Sequence, residues 1–136
     1  MENIKIEDGR IRISTGTKFE NEVGYSRAVR SGNLIYVTGT AAMDENGKGL
    51  FPNDAEAQTK FILDRIEKAI IDCGGKMSHI IRVRIYLTDM KYFQETAKAL
   101  GDVFRPIKPA ITAVGVASLV DENMIVEIEA DALVDH

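Results

Sequence analysis

The sequence predicts an α+β domain: a mostly antiparallel sheet with two helices laid on one of its faces. Three observations lead there. Residues 54–73 and 91–104 repeat their apolar side chains at spacings of three and four, the mark of an amphipathic helix. Residues 4–39 fall into two pairs of strand-like segments, each split by a glycine-bearing turn. Residues 124–133 alternate with period two, Val126, Ile128 and Ala130 to one side and Glu127, Glu129 and Asp131 to the other. A helix with one apolar stripe needs something to cover, and a sheet is its natural partner.

Taken in order, Ile4-Lys5-Ile6 and Ile11-Arg12-Ile13 alternate around Asp8-Gly9, a strong hairpin signal. Residues 14–24 are polar with two glycines and read as loop. A second hairpin pairs residues 25–30 with 34–39 across Ser31-Gly32-Asn33, where Gly32 is free to take positive φ. Residues 40–52 form a loop. The helix at 54–73 has Asn53 or Asp54 as its cap, Phe61, Ile62, Ile66, Ala69, Ile70 and Cys73 on its inner face, and Gly74-Gly75 as its stop. A strand at 79–88 turns Val83, Ile85 and Leu87 one way and Arg82, Arg84 and Tyr86 the other. The second helix, 91–104, has Phe93, Ala97, Leu100 and Phe104 as its inner stripe, and two prolines in 105–109 end it. Two last strands, 111–119 and 124–133, are joined by a short reversal at Asp121-Glu122-Asn123.

At 136 residues the chain is the size of one domain, with 45% apolar and 28% charged residues. A net charge of −4 argues against a nucleic-acid binder, which more often carries a basic face. One cysteine, Cys73, rules out a disulfide framework and reads as a small buried hydrophobe. Cys73 with two scattered histidines, His79 and His136, makes no metal constellation. No signal peptide or membrane-length apolar run is visible, so the expectation is a soluble cytoplasmic protein. The sheet face bearing Arg82, Arg84, Tyr86, Glu127, Glu129 and Asp131 is too charged to be core and interspersed with Thr38 and alanines. Charges of both signs on one face suggest pairing across a subunit contact in a closed oligomer.

Four segments in order resemble the Rid family (reactive intermediate deaminases, also called YjgF): GYSRAVRSGNLIYVTGT from Gly24, VRIYLTDMKYF from Val83, PAITAVGVASL from Pro109 and VEIEADAL from Val126. The resemblance spans residues 14–133. It implies a chorismate-mutase-like fold packed as a homotrimer, with a central barrel, outer helices and a small-molecule cleft at each subunit interface. Typical members hydrolyse reactive enamines and imines to keto acids and ammonia, with no cofactor and no metal. The matching positions are Tyr25 for the cleft tyrosine, Glu127 for the glutamate that positions the hydrolytic water, and Phe93 for a cleft aromatic. The family arginine that grips the substrate carboxylate falls at Ile111, which offers no charge-assisted hydrogen bond. A frequent cysteine two positions later is replaced by Ala113, and an asparagine of the second helix by Ala97.

Each site residue has a plainer role beside the functional one. A partly buried Glu127 suits acid–base work on an imine, or pairs with Arg82 or Arg84 at an interface. Glu129 fits structural pairing. Tyr25 and Arg27 share a face of an extended segment, so Arg27 is either an anion clamp replacing the absent arginine or a salt-bridge residue. Thr112 offers a hydroxyl beside Ile111, or is simply a strand threonine. The three readings are a hydrolase for imines, enamines or a related substrate without a carboxylate, a non-catalytic metabolite-binding trimer, and a ribonuclease or translation inhibitor, the last disfavoured by the acidic balance.

Overall fold

The structure, a computed structural model, describes residues 3–135. Seven strands and three helices follow one another as β1 (Asn3–Glu7), β2 (Arg10–Ser14), α1 (Lys18–Val23), β3 (Ala28–Ser31), β4 (Leu34–Ala41), α2 (Ala55–Asp72), β5 (Ile80–Leu87), α3 (Phe93–Phe104), β6 (Ala110–Gly115) and β7 (Val126–Leu133). They form one sheet in the order β1-β2-β3-β4-β7-β5-β6. All neighbours are antiparallel except β5 and β6.

Local chemistry accounts for the first hairpins. Asp8 and Gly9 both sit at positive φ, 55° and 74°, which matches the twist of flanking strands in a two-residue turn. Gly32 turns β3 into β4 at φ 61°. The Asp54 carboxylate accepts a hydrogen bond from the Ala57 amide at 2.9 Å and caps α2, and Gly74 at φ 85° ends it. The core lies between the sheet and helices α2 and α3: Ile62, Ile66 and Ile70 pack against Ile35, Val83, Ile85 and Ile128, all buried. Burying each of these side chains is worth about 1.5–3 kcal/mol. Gln58, also buried, ties α2 to the β6–β7 connection: its amide donates to the Asn123 carbonyl at 2.7 Å and accepts from the Ile125 amide at 3.0 Å.

Four expectations are corrected. Residues 18–23 are helical rather than loop, because the Glu20 side chain gathers the Thr15 amide and the Thr15 and Thr17 hydroxyls around one turn. The last two strands are not a hairpin. β6 stops at Gly115, and β5 lies between it and β7. The physical reason is α3, which carries the chain over the sheet so that β6 returns parallel to β5. His79 closes a 3₁₀ turn, Met77–His79, instead of starting β5. Finally, α3 buries Thr96, Ala99, Leu100 and Phe104, which leaves Phe93 38% exposed and Ala97 half-buried.

Candidate functional site

β4 and β7 pair with one extra residue on β4: Val37 opposes Ala130 and Thr40 opposes Ile128, so Thr38 and Gly39 together face Glu129. Such a bulge re-aims the side chains beside it. Here it brings the Gly39 backbone against Glu127. A Cβ on Gly39 would stand 2.5 Å from Glu127 Oε2, so only glycine leaves that carboxylate its place. Glu127 and Tyr25 line one cavity of about 290 Å³ with Phe19, Met43, Val120 and Met124. Burial pushes the Glu127 carboxyl above its ordinary range; the Arg27 charge opposes this and the nearby Glu129 adds to it. A carboxyl so poised can take up or release a proton closer to neutral pH.

Behind this cavity stands a buried ion pair. Arg27 is 2% exposed and Glu20 4%. Arg27 Nη2 donates to Glu20 Oε2 and to the Tyr25 hydroxyl, both at 3.4 Å, and Nη1 donates to the Gly39 carbonyl and Thr40 Oγ1, both at 3.1 Å. The guanidinium also lies 5.6 Å from the Tyr25 ring centroid. Burial alone would raise the Glu20 carboxyl, but hydrogen bonds from Thr15 and Thr17 and the Arg27 charge outweigh it and hold it below the usual range. Arg27 is therefore not a surface salt bridge. It is a buried strut that fixes the Tyr25 hydroxyl and the Gly39 backbone. Glu20 was missed from the sequence although Thr17-x-x-Glu20 carries the pattern of a helix start.

Phe93, Ile111 and Ala113 meet elsewhere. With Ala97, Leu100 and Phe104 they line an apolar cavity of about 430 Å³ between α3 and β6. It shares no lining residue with the Glu127 cavity. Ile111 is 43% exposed. It and Ala113 pair with Val83 and Ile85 on the helix side of the sheet, whereas Glu127 pairs with Tyr86 on the other face. Thr112 belongs to that other face, where its hydroxyl accepts from Arg82 Nη2 at 3.3 Å.

Within one chain, Arg84 pairs with acids other than Glu127. Arg84 Nη1 reaches Glu129 Oε2 and Asp131 Oδ2 of the same chain, both at 3.3 Å. Tyr86 donates to Glu129 at 2.5 Å, and that bond, with burial and the Glu129 charge, raises the phenol above its ordinary value. Glu129 and Asp131 thus belong to a pairing network and Glu127 is left to the cavity. Cys73 is buried at the end of α2, where burial pushes its thiol up to about 11. Among the described residues no cluster of three or more His, Cys, Asp or Glu is placed to hold a metal ion, and no helix is long and apolar enough to cross a membrane. His136 lies outside the described residues.

Comparison with known proteins gives a consistent result. Residues 15–134 match the family model described as endoribonuclease L-PSP. A crystal structure from Mycobacterium tuberculosis, a member of the YjgF/YER057c/UK114 family, superposes with a TM-score of 0.84 at 39% identity, covering 92% of this chain and 99% of that one. A conserved Rid protein family structure from Yersinia pestis superposes with a TM-score of 0.74 at 28% identity, over 81% and 87% of the two chains. A RutC family protein of Pyrococcus horikoshii is 33% identical over 109 residues, 79% of this chain and 85% of its own length.

Proposed function

The chain belongs to the endoribonuclease L-PSP family, also called YjgF or Rid, and from that premise we propose that it is a hydrolase of small imines or enamines. The observation that carries this is the Glu127 carboxyl: set in a largely apolar cavity, displaced upward, and facing a tyrosine whose hydroxyl is held by Arg27. Glu127 takes a proton from water as the water oxygen bonds to the imine carbon. The C=N electron pair moves to nitrogen, which receives that proton. The carbinolamine then collapses: the C–N bond breaks, ammonia leaves, and the hydroxyl proton passes through Glu127 as the carbonyl forms. No cofactor or metal enters this scheme.

The cleft is completed, in this reading, by a second copy within a homotrimer. β6 is paired along one side only and exposes Ile111 and Val114, a surface suited to a neighbour. Its Phe93–Ile111–Ala113 half-site would meet the Tyr25–Glu127 half-site of the next chain. Isoleucine in place of the family arginine then favours a substrate without a carboxylate.

Ammonia release from freshly generated imines, carboxylated and uncharged, tests this. The parent should turn over an uncharged imine, Glu127→Gln should lose that turnover, and Ile111→Arg should extend it to amino-acid imines. A silent parent beside an active Ile111→Arg variant means a changed ligand on retained machinery. Silence from all three favours a second reading, a metabolite-binding trimer, which the apolar Ile111 also suits. A ribonuclease fits less well: the lining of the Glu127 cavity includes no lysine or arginine for a phosphate backbone.

A further inference from the structure

The cavity between α3 and β6 has two charged side chains in its lining, Arg105 and Lys108, and both are cations. The rest of the lining is hydrocarbon or backbone, Ile85, Phe93, Leu100, Phe104 and Ile111 foremost, with no acid and no neutral polar side chain. Neither cation makes a side-chain hydrogen bond or ion pair among the described residues. Two local costs bring them to this wall. Gly101 stands inside α3, where glycine weakens a helix more than any residue but proline. A Cβ there would lie 2.7 Å from Arg105 Nη2 and 3.6 Å from its Cζ, so the missing side chain is the room in which the guanidinium folds back along the helix. Lys108 takes a left-handed backbone, φ 55°, which a lysine adopts only with strain, and its amide donates to the Phe104 carbonyl at 2.7 Å. That turn places Lys108 beside the same cavity as Ile111.

We propose that this cavity selects an imine whose acid group lies at the far end of a hydrocarbon chain, with Arg105 and Lys108 taking that carboxylate. The reacting end rests on the hydrolase reading, in which the Tyr25–Glu127 half-site of the next chain receives the imine. A guanidinium fork and an ammonium hold a carboxylate through charge-assisted hydrogen bonds. The apolar wall suits the spacer, since each buried methylene adds to affinity. Ile111 leaves the carbon beside the imine without a cation, so the acid is read away from the reacting carbon. An uncharged imine is the minimal form of such a substrate and binds more weakly.

The test is calorimetric titration of the full-length protein, at fixed ionic strength, with three carbonyl compounds of equal chain length that mimic hydrolysis products: 6-oxoheptanoate, 2-oxoheptanoate and 2-heptanone. The 6-oxo acid should bind saturably with one site per chain. The other two should bind at least about tenfold more weakly, the scale of one charged hydrogen bond. In 2-oxoheptanoate the acid adjoins the carbonyl, so it does not reach Arg105 while the carbonyl faces Glu127. Arg105→Gln/Lys108→Gln should abolish the preference for the 6-oxo acid over 2-heptanone and leave 2-heptanone binding as it was. Both positions are exposed, so the unfolding midpoint should stay in place. Equal binding of 2-heptanone, or indifference to the double variant, overturns the carboxylate subsite. Equal binding of 2-oxoheptanoate overturns its remote position, and no binding of any of the three overturns both. A silent ammonia assay beside an intact preference overturns the hydrolase reading and leaves the subsite standing. Turnover of an uncharged imine with no preference among the three does the reverse.

Discussion

The wall around Glu127 is held from several directions, whereas the wall around Ile111 is a strand paired on one side only. Tyr25, Gly39 and Thr40 are all tied to one buried guanidinium, which is itself tied to Glu20. On the far strand, all of β6 except Ala113 is exposed. Glu127 therefore sits where its neighbours leave it little freedom, and Ile111 sits where a substitution disturbs little else. That division is what a fold needs to keep one chemistry while changing ligands.

The sharpest way to break the contrast is Glu127→Gln, which should cut imine turnover by about 10²–10⁴-fold in steady-state kinetics, the usual worth of a positioned acid–base group. Next is Arg27→Met. It strands Glu20 without its partner and should cost about 3–5 kcal/mol in guanidinium unfolding, more than any single change on β6. Gly39→Ala separates geometry from stability. The new methyl displaces the Glu127 carboxylate, so turnover should fall by about 100-fold while the unfolding midpoint barely moves.

The two carboxyls should also respond to pH with opposite sign. Glu20 is held below its unfolded value, so its contribution is present above the normal carboxylate range and is lost as pH falls. Glu20→Gln should be much less stable than the parent near neutrality, and the gap should close on acidification. Glu127 is held above its unfolded value, so ionising it opposes folding as pH rises. Glu127→Gln should be the more stable protein near neutrality and equal to the parent in acid. Smallest of all, Ile111→Ala should change stability by about 0.5 kcal/mol or less, as expected at a largely exposed position.

How much of this was legible in the sequence depends on how local the determining chemistry is. Asp8-Gly9, the Asp54 cap and the alternation through β7 act over a few residues, and the elements they specify appear where expected. α1 is different. It is six residues long and depends on Glu20 reaching Thr15 and Arg27, contacts that no propensity encodes. The place of β6 follows from how α3 packs on the sheet, which sequence adjacency to β7 conceals. Phe93 obeys the spacing of an inner stripe, but α3 is rotated so that Thr96 and Ala99 take the buried side. At the candidate site, Tyr25 and Glu127 were nameable and do share a cavity, while Glu20 needed a tertiary partner to acquire meaning.

The two outer strands of the sheet differ in a way that matters outside the folded molecule. β1 carries Lys5 and Glu7, an ion pair at 2.9 Å along an exposed strand, and charges of that kind discourage stray strand addition. β6 reads Ala-Ile-Thr-Ala-Val-Gly and has no such guard. A copy newly released from the ribosome presents that uncharged border to every other unfinished chain nearby. Losses to aggregates should then track how long that border stays uncovered rather than how well each copy is folded. Overproduction should outrun solubility before it outruns stability, and Val114→Lys should return soluble protein while weakening the proposed homotrimer.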